Sequence, residues 1–244
     1  MSTSAVLHSE WIKIRSVRAG FGSLIAVFAV SLGTTLIVFP TVGQSQAENG
    51  GDPVLAAFYA LNFAQIAAIS FGATAVSSEY LNHALRVSLW AVPRRGQLYG
   101  AKMAVIGGAA LAVGLVTTFA SFLAGQAFMG KYAIGLGEPG ALRACFGGAV
   151  LLALMALFAA GLTVLLRSGV AVLSLLIPFT LIASFVIGDV AGGAAKYLPD
   201  QAGRQVLYQN APGTPGPWTG LAVLALWAAA ALLAGWWAIR RRDA

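Results

Sequence analysis

The residues of this chain that could do chemistry are few, and their spacing does not fit catalysis. Residues 125–131 match the G-x-x-x-x-G-K start of a phosphate-binding loop, but Tyr132 replaces the hydroxyl residue that holds magnesium and no strand precedes the match. His8 and His83 belong to no His-Glu-x-x-His motif, and no Gly-x-Ser-x-Gly motif occurs. Asp189 is the single acid within a long apolar run. We predict no catalytic residue, no metal site and no cofactor bound by the chain itself.

Charged side chains instead concentrate in one connection, residues 77–102. Only 9% of the 244 residues are charged. Yet this connection contains the candidate functional residues Glu79, Arg86, Pro93, Arg94, Arg95 and Lys102. Apolar residues at helical spacing precede Pro93, which ends a helix because proline lacks an amide donor. Basic residues beside a membrane segment can simply fix its orientation. The length and the helix-proline-arginine order favour a surface that binds a cytoplasmic partner.

Long apolar runs flank this connection and determine the fold class. The chain is 59% hydrophobic and its mean hydropathy is +0.81, far above that of soluble domains. Runs of about 20 apolar residues cross the hydrocarbon core as helices, and none of these alternates as a barrel strand does. We predict a single all-α membrane domain over residues 1–244 with six transmembrane helices, at residues 20–42, 54–76, 103–127, 144–166, 170–190 and 218–239.

The distribution of lysine and arginine predicts the orientation of these helices. Six spans place eleven basic residues on the side of both termini and four on the other side. Basic residues are enriched in cytoplasmic loops, so both termini and residues 77–102 should be cytoplasmic. Residues 191–217 then form the longest outer connection. They could contain short helices, as a lid or re-entrant element, or be an ordinary loop. The net charge of +7 fits this rule. The sequence contains no basic, aromatic-rich soluble module of the kind that would indicate nucleic-acid binding.

Residues 4–18 are too charged to span a membrane. Leu7, Trp11 and Ile14 share one face of a helix, which predicts a short amphipathic helix in the headgroup region. Glu10 and Lys13 fall on other faces. The alternative is a basic flank that only fixes orientation. The candidate residues of this interfacial helix are Glu10, Trp11, Lys13 and Arg15.

Neutral polar residues inside the spans are candidates for a translocation path. They are Thr34, Thr35, Asn62, Gln65, Thr117 and Thr118. Asn62 and Gln65 are three residues apart and therefore share a helix face. Hydrogen bonding between packed helices is the alternative role for all of them.

The order Glu79, Leu85, Leu89, Pro93, Arg95 and Lys102 resembles the cytoplasmic loop of ABC-2 type transporter permeases. Residues 9–16 resemble the N-terminal E-x-x-K-x-R-S segment of that family. The arginines that follow an aromatic-rich last span are similar to the ends of small actinobacterial members. Residues 82–84 depart from the pattern, because Asn-His-Ala replaces the usual Gly-Thr pair.

The resemblance implies a permease subunit in a bacterial plasma membrane. It also implies export of an amphipathic or hydrophobic compound, but it does not identify that compound. It implies a second permease copy, identical or related, and a separate cytoplasmic ATPase that binds the ATP and magnesium. The residues between Glu79 and Arg95 would contain the coupling helix. An ATP-independent secondary transporter and a membrane scaffold without transport remain alternatives.

Overall fold

The computed structural model describes residues 3–16, 18–80, 95–183, 192–211 and 213–241. Arg86, Pro93 and Arg94 therefore lie outside the described residues. Within these ranges the regular structure is helical and contains no strand, as an all-α fold requires. The α-helices are α1 (Thr3–Ser16), α2 (Arg18–Glu48), α3 (Pro53–Ala57), α4 (Leu61–Ser77), α5 (Arg95–Ala127), α6 (Ala141–Leu166), α7 (Gly169–Pro178), α8 (Pro199–Arg204) and α9 (Pro217–Arg241).

The long helices run back and forth, which gives the bundle two distinct ends. At one end, the Arg95 guanidinium at the start of α5 donates to the Ile239 carbonyl near the end of α9, at 3.0 Å. We call this the α1 end, because α1 packs there against α5. At the other end, the Arg143 side chain near the start of α6 donates to the Tyr208 carbonyl at 2.6 Å. We call that the Asp52 end, because Asp52 accepts a hydrogen bond there from the neighbouring Gln209 N.

Four of the described helices are long and apolar enough to cross a membrane. They comprise Arg18–Thr41 of α2, and α5, α6 and α9. Two shorter apolar helices, Leu61–Ser77 and Gly169–Leu181, occupy the places of the predicted second and fifth spans. The membrane class is thus confirmed, whereas the number of six spans stays a prediction.

Two helices extend beyond the predicted spans by more than one helical turn. α2 continues past residue 42 to Glu48, and the chain leaves it at Gly50, whose φ of 76° suits glycine. α5 begins at Arg95 rather than at residue 103, so the last part of the predicted loop 77–102 is helical. The reason is packing: Leu98 and Ala101, in this added stretch, are buried against Val6 of α1.

The second apolar run is interrupted rather than continuous. A turn at residues 58–60 separates α3 from α4 and uses tight hydrogen bonds, such as Phe58 N to Leu55 O at 3.0 Å. The fifth run also changes pitch, since α7 is followed by a π-helical turn at Phe179–Ala183. The residues from 184 to 191 lie outside the described part of the chain. Residues 192–211 form short helices, and Val206 and Leu207 from this segment are buried.

α6 is the central helix, and glycine allows its neighbours to approach its backbone. It packs against α4, α5 and α9. A Cβ atom at Gly72 of α4 would overlap the carbonyl of Ala156 in α6. A Cβ atom at Gly161 of α6 would likewise overlap the backbone of Ala231 in α9, although less severely. Small residues at such crossings are the usual means of close helix packing in membranes.

Gly72→Ala should therefore destabilise the bundle by about 1–3 kcal/mol, because an added methyl group forces the α4 and α6 backbones apart. Thermal unfolding of the purified protein in detergent would measure the loss. Gly108→Ala is the matched control, since a Cβ atom at Gly108 on α5 meets no atom within 4 Å. That control should be neutral or slightly stabilising, because alanine favours a helix more than glycine does. Equal melting temperatures for both variants would contradict the close packing.

Candidate functional site

Four charged side chains from three helical regions meet at the α1 end. Lys13 Nζ lies 2.6 Å from Glu10 Oε1 and 2.9 Å from Glu79 Oε1. Lys102 Nζ lies 2.5 Å from Glu10 Oε2 and 3.0 Å from Glu79 Oε1. Each cation thus bridges the same two carboxylates. We call Glu10, Lys13, Glu79 and Lys102 the ion-pair network.

The network is largely withdrawn from solvent. Glu10 is 1% exposed, and Glu79 and Lys102 are each 7% exposed. Burial by itself lowers the pKa of Lys13, but its hydrogen bonds and charge interactions with Glu10 and Glu79 raise the pKa above the usual lysine value. Since the folded pKa is the higher one, the stability that Lys13 contributes is present at neutral pH. It is lost only as pH rises through that raised pKa.

α1 brings two of the four residues to the network by burying one face. Val6, Glu10 and Ile14 are the buried positions of this helix, at the spacing of one helical face. Glu10 was predicted on a face away from the apolar one, so its burial is a correction. Its charge is tolerated there because Lys13 and Lys102 neutralise it. Trp11, which was predicted at the membrane boundary, is 41% exposed, and Arg15 is exposed as well.

The other two residues lie on either side of residues 81–94. Glu79 follows the end of α4, and Lys102 lies about two turns after the start of α5. In this structure both face the network rather than the surroundings, so they join the two sides of the connection instead of offering free charges to a partner. Arg95 is likewise engaged, with the Ile239 carbonyl. Arg86, Pro93 and Arg94 lie outside the described residues, so their role in a partner surface stays a prediction.

Comparison with known families decides the relationship of the chain. The model of the ABC-2 family transporter protein matches residues 6–188, which include most of α1, all four network residues and the whole connection 77–102. The chain belongs to the ABC-2 transporter family. A comparison with curated proteins finds no match. The resemblance read from residues 9–16 and from the loop is thereby confirmed.

Membership of the ABC-2 family makes the chain a multi-pass membrane component of transport, not itself a catalyst. It also implies association with an ABC ATPase. Within the described part of the chain, no group of three His, Cys, Asp or Glu side chains could hold a metal ion. The four ion pairs of the network join α1 to the residues that follow α4 and to α5.

The polar residues proposed for a translocation path of this ABC-2 protein are mostly buried within the subunit. The Thr117 and Thr118 hydroxyls donate to carbonyls one turn back on α5, at 2.8 and 2.9 Å. Thr35 bonds in the same way to Ser31, whose hydroxyl meets that of Ser121 across the α2–α5 contact at 2.9 Å. The three threonine bonds lie within single helices, and of the bonds named here only the Ser31–Ser121 contact joins two helices, so the role of these threonines stays a prediction. The remaining three differ in exposure, Gln65 being buried while Thr34 and Asn62 are half-buried.

Sequence reasoning missed a second polar set, at the Asp52 end. One oxygen of Asp52 accepts from Val54 N and Leu55 N at 3.0 Å and so caps α3, and the other accepts from Gln209 N at 2.7 Å. Gln126 donates to the Pro53 carbonyl at 3.1 Å. An aspartate directly before a proline is a helix-start signal that could have identified the cap. The contact with Gln209 carries no such local signal.

Proposed function

We propose that the chain is the permease subunit of an ABC-2 exporter with six transmembrane helices, both termini on the cytoplasmic side, in the plasma membrane of a bacterium. It works with a second permease copy and a separate cytoplasmic ATPase, which binds ATP and magnesium. Its substrate class is amphipathic or hydrophobic compounds. Residues 77–102 form the connection that receives the ATPase. Family membership supports this proposal, together with the positions of the charged residues.

The observation that carries the proposal is the ion-pair network beside residues 81–94. Both ends of this connection meet at one point, because Glu79 and Lys102 are 3.0 Å apart. α1 is attached at the same point through Glu10 and Lys13. A force applied to residues 81–94 by a partner would therefore reach α1, α4 and α5 together. Such a junction suits a subunit that receives its energy from outside.

The charge distribution favours this function over ion-coupled transport. Secondary transporters place ionisable residues near the bilayer midplane, where they bind substrate and coupling ions. Among the described residues of this chain, the acidic and basic side chains lie at the two ends of the bundle. The long helices between these ends carry only neutral side chains in their middle parts. A permease that receives its energy from an external ATPase does not need ionisable residues in these positions.

The proposal predicts an ATPase partner that depends on the basic residues of the connection. A mild-detergent pull-down of the tagged chain from its native membranes should yield a stoichiometric ATPase with vanadate-sensitive hydrolysis. Arg86→Glu combined with Arg94→Glu should abolish its recovery, because two attractive charges become repulsive. Arg95 is left unchanged because it holds the end of α9.

The matched control is Arg240→Glu with Arg241→Glu, which reverses two charges in the last turn of α9 without altering the connection. This control should retain the ATPase. Recovery of the chain alone from native membranes, without ATP hydrolysis, would contradict the proposed function. Equal loss of the ATPase from both double variants would contradict the assignment of the contact to residues 77–102.

A further inference from the structure

An open apolar groove runs between α1, α2 and α5. Its volume is about 440 Å³, and its walls include Trp11 of α1, Phe21, Ile25 and Phe28 of α2, and Ala112 and Val116 of α5. Sites for small molecules typically measure roughly 300–1,000 Å³. The groove lies along two helices that are long and apolar enough to cross a membrane. The groove therefore opens toward the hydrocarbon core of the membrane, where lipid acyl chains are the surrounding apolar molecules.

Two arginines stand at the α1 end of this groove. Arg15 is one turn beyond Trp11 on α1, and Arg18 is one turn before Phe21 on α2. Both are exposed. Of the acidic residues that the structure describes nearby, Glu10 and Glu79 are already paired with Lys13 and Lys102. The apolar groove thus ends at a pair of uncompensated positive charges.

We propose that the groove binds one anionic phospholipid. An acyl chain lies along the wall from Trp11 to Val116, and the phosphate is held by Arg15 and Arg18. Guanidinium groups suit this role because they match phosphate oxygens with two parallel hydrogen bonds. The lipid would fix the angle between α1 and α2 and thereby support the ion-pair network on the other side of α1. This inference needs only a membrane-embedded chain and does not rest on the proposed function.

Charge argues against a second copy of the chain as the occupant. A two-fold contact places the same surface of both copies face to face. Arg15 and Arg18 of one copy would then approach the same pair on the other, and like charges across a contact are unfavourable. A phospholipid with a negative headgroup supplies the opposite charge and the apolar chain in one molecule.

Native mass spectrometry of the purified full chain, titrated with phosphatidylglycerol or phosphatidylcholine, tests the proposal. We expect one phosphatidylglycerol to bind in preference to phosphatidylcholine. Arg15→Gln with Arg18→Gln should weaken phosphatidylglycerol binding roughly 25-fold, since each basic residue near an anionic lipid contributes about a factor of five. Arg15→Lys with Arg18→Lys should retain most of the preference. Ala112→Phe should weaken binding by filling the groove while leaving both arginines in place.

Two control variants separate the groove from the rest of the lipid-facing surface. Arg240→Gln with Arg241→Gln removes the same charge at the same end of the bundle, and Ala229→Phe adds the same ring to an exposed position of α9. Both should bind phosphatidylglycerol as the wild type does. Equal binding of both lipids, or equal losses in the groove and control variants, would overturn the proposal. So would a change of oligomeric state caused by Ala112→Phe alone, which would indicate a second copy in the groove.

Discussion

Lys102→Met is expected to lower the free energy of unfolding by about 3–5 kcal/mol, because it leaves two buried carboxylates with one cation fewer than they need. Lys102 lies 2.5 Å from Glu10 and 3.0 Å from Glu79, and Lys13 alone remains to neutralise both. For a chain of this size the loss corresponds to a decrease in Tm of roughly 6–20 °C. Thermal unfolding in detergent, followed by circular dichroism, measures it.

Two further variants make this result specific to the network. Glu10→Gln added to Lys102→Met restores the balance of charge and should recover part of the lost stability. Lys131→Met removes an exposed lysine that lies over the Tyr132 ring at the Asp52 end, and should change Tm by little. If Lys102→Met and Lys131→Met melted alike, the network would not support the fold. If the double variant melted below Lys102→Met, charge imbalance would not be the cause.

Asp52→Ala removes three hydrogen bonds and is expected to cost about 2–5 kcal/mol. Loss of a helix cap costs about 0.5–2 kcal/mol, and loss of a hydrogen bond to a charged group about 1.5–3 kcal/mol. The cap is the contact of Asp52 with Val54 N and Leu55 N, and the charged bond is that with Gln209 N. A lower Tm and faster proteolysis within residues 192–211 are the two readouts.

Asp52→Asn divides this effect into its parts. The amide oxygen can still cap α3, while the amide nitrogen cannot accept from Gln209. Its loss should therefore lie between zero and that of Asp52→Ala. Glu48→Ala is the matched control, since Glu48 is exposed at the end of α2. Proteolysis of Asp52→Ala at the wild-type rate would show that Gln209 does not depend on this carboxylate.

The fold class and the charged candidate residues could be predicted from the sequence, but the contacts between those residues could not. Long apolar runs depend only on local composition, so helices that cross a membrane could be predicted from them. Glu79 and Lys102 were both identified, whereas their common attachment to Glu10 depends on how α1 packs against α5. Periodicity assigned the apolar face of α1 from Leu7, Trp11 and Ile14. The structure buries Val6, Glu10 and Ile14 instead, because a charged residue can be buried when its partners come from elsewhere in the chain.

The interruption of the second apolar run shows the same limit. Residues 58–60 are Phe-Tyr-Ala, and none of them is a proline or glycine that would signal a break. Phe58 is fully buried and its ring stacks on Phe122 of α5, at 5.9 Å between centroids. A tertiary contact of this kind leaves no local pattern. The turn also places Asn62 at the beginning of α4, where it lines a pocket of about 210 Å³ beside Asp52.

The length of α5 has a mechanical consequence. Its 33 residues form one helix without proline, about 50 Å long, with Lys102 near one end and Gln126 near the other. Gln126 contacts Pro53 O and Ile134 N at 3.1 and 2.9 Å. A tilt of about 5° pivoting at Lys102 would move Gln126 by roughly 3 Å, which is more than a hydrogen bond tolerates. A rotation of a few degrees at the α1 end would therefore be enough to break these hydrogen bonds at the Asp52 end.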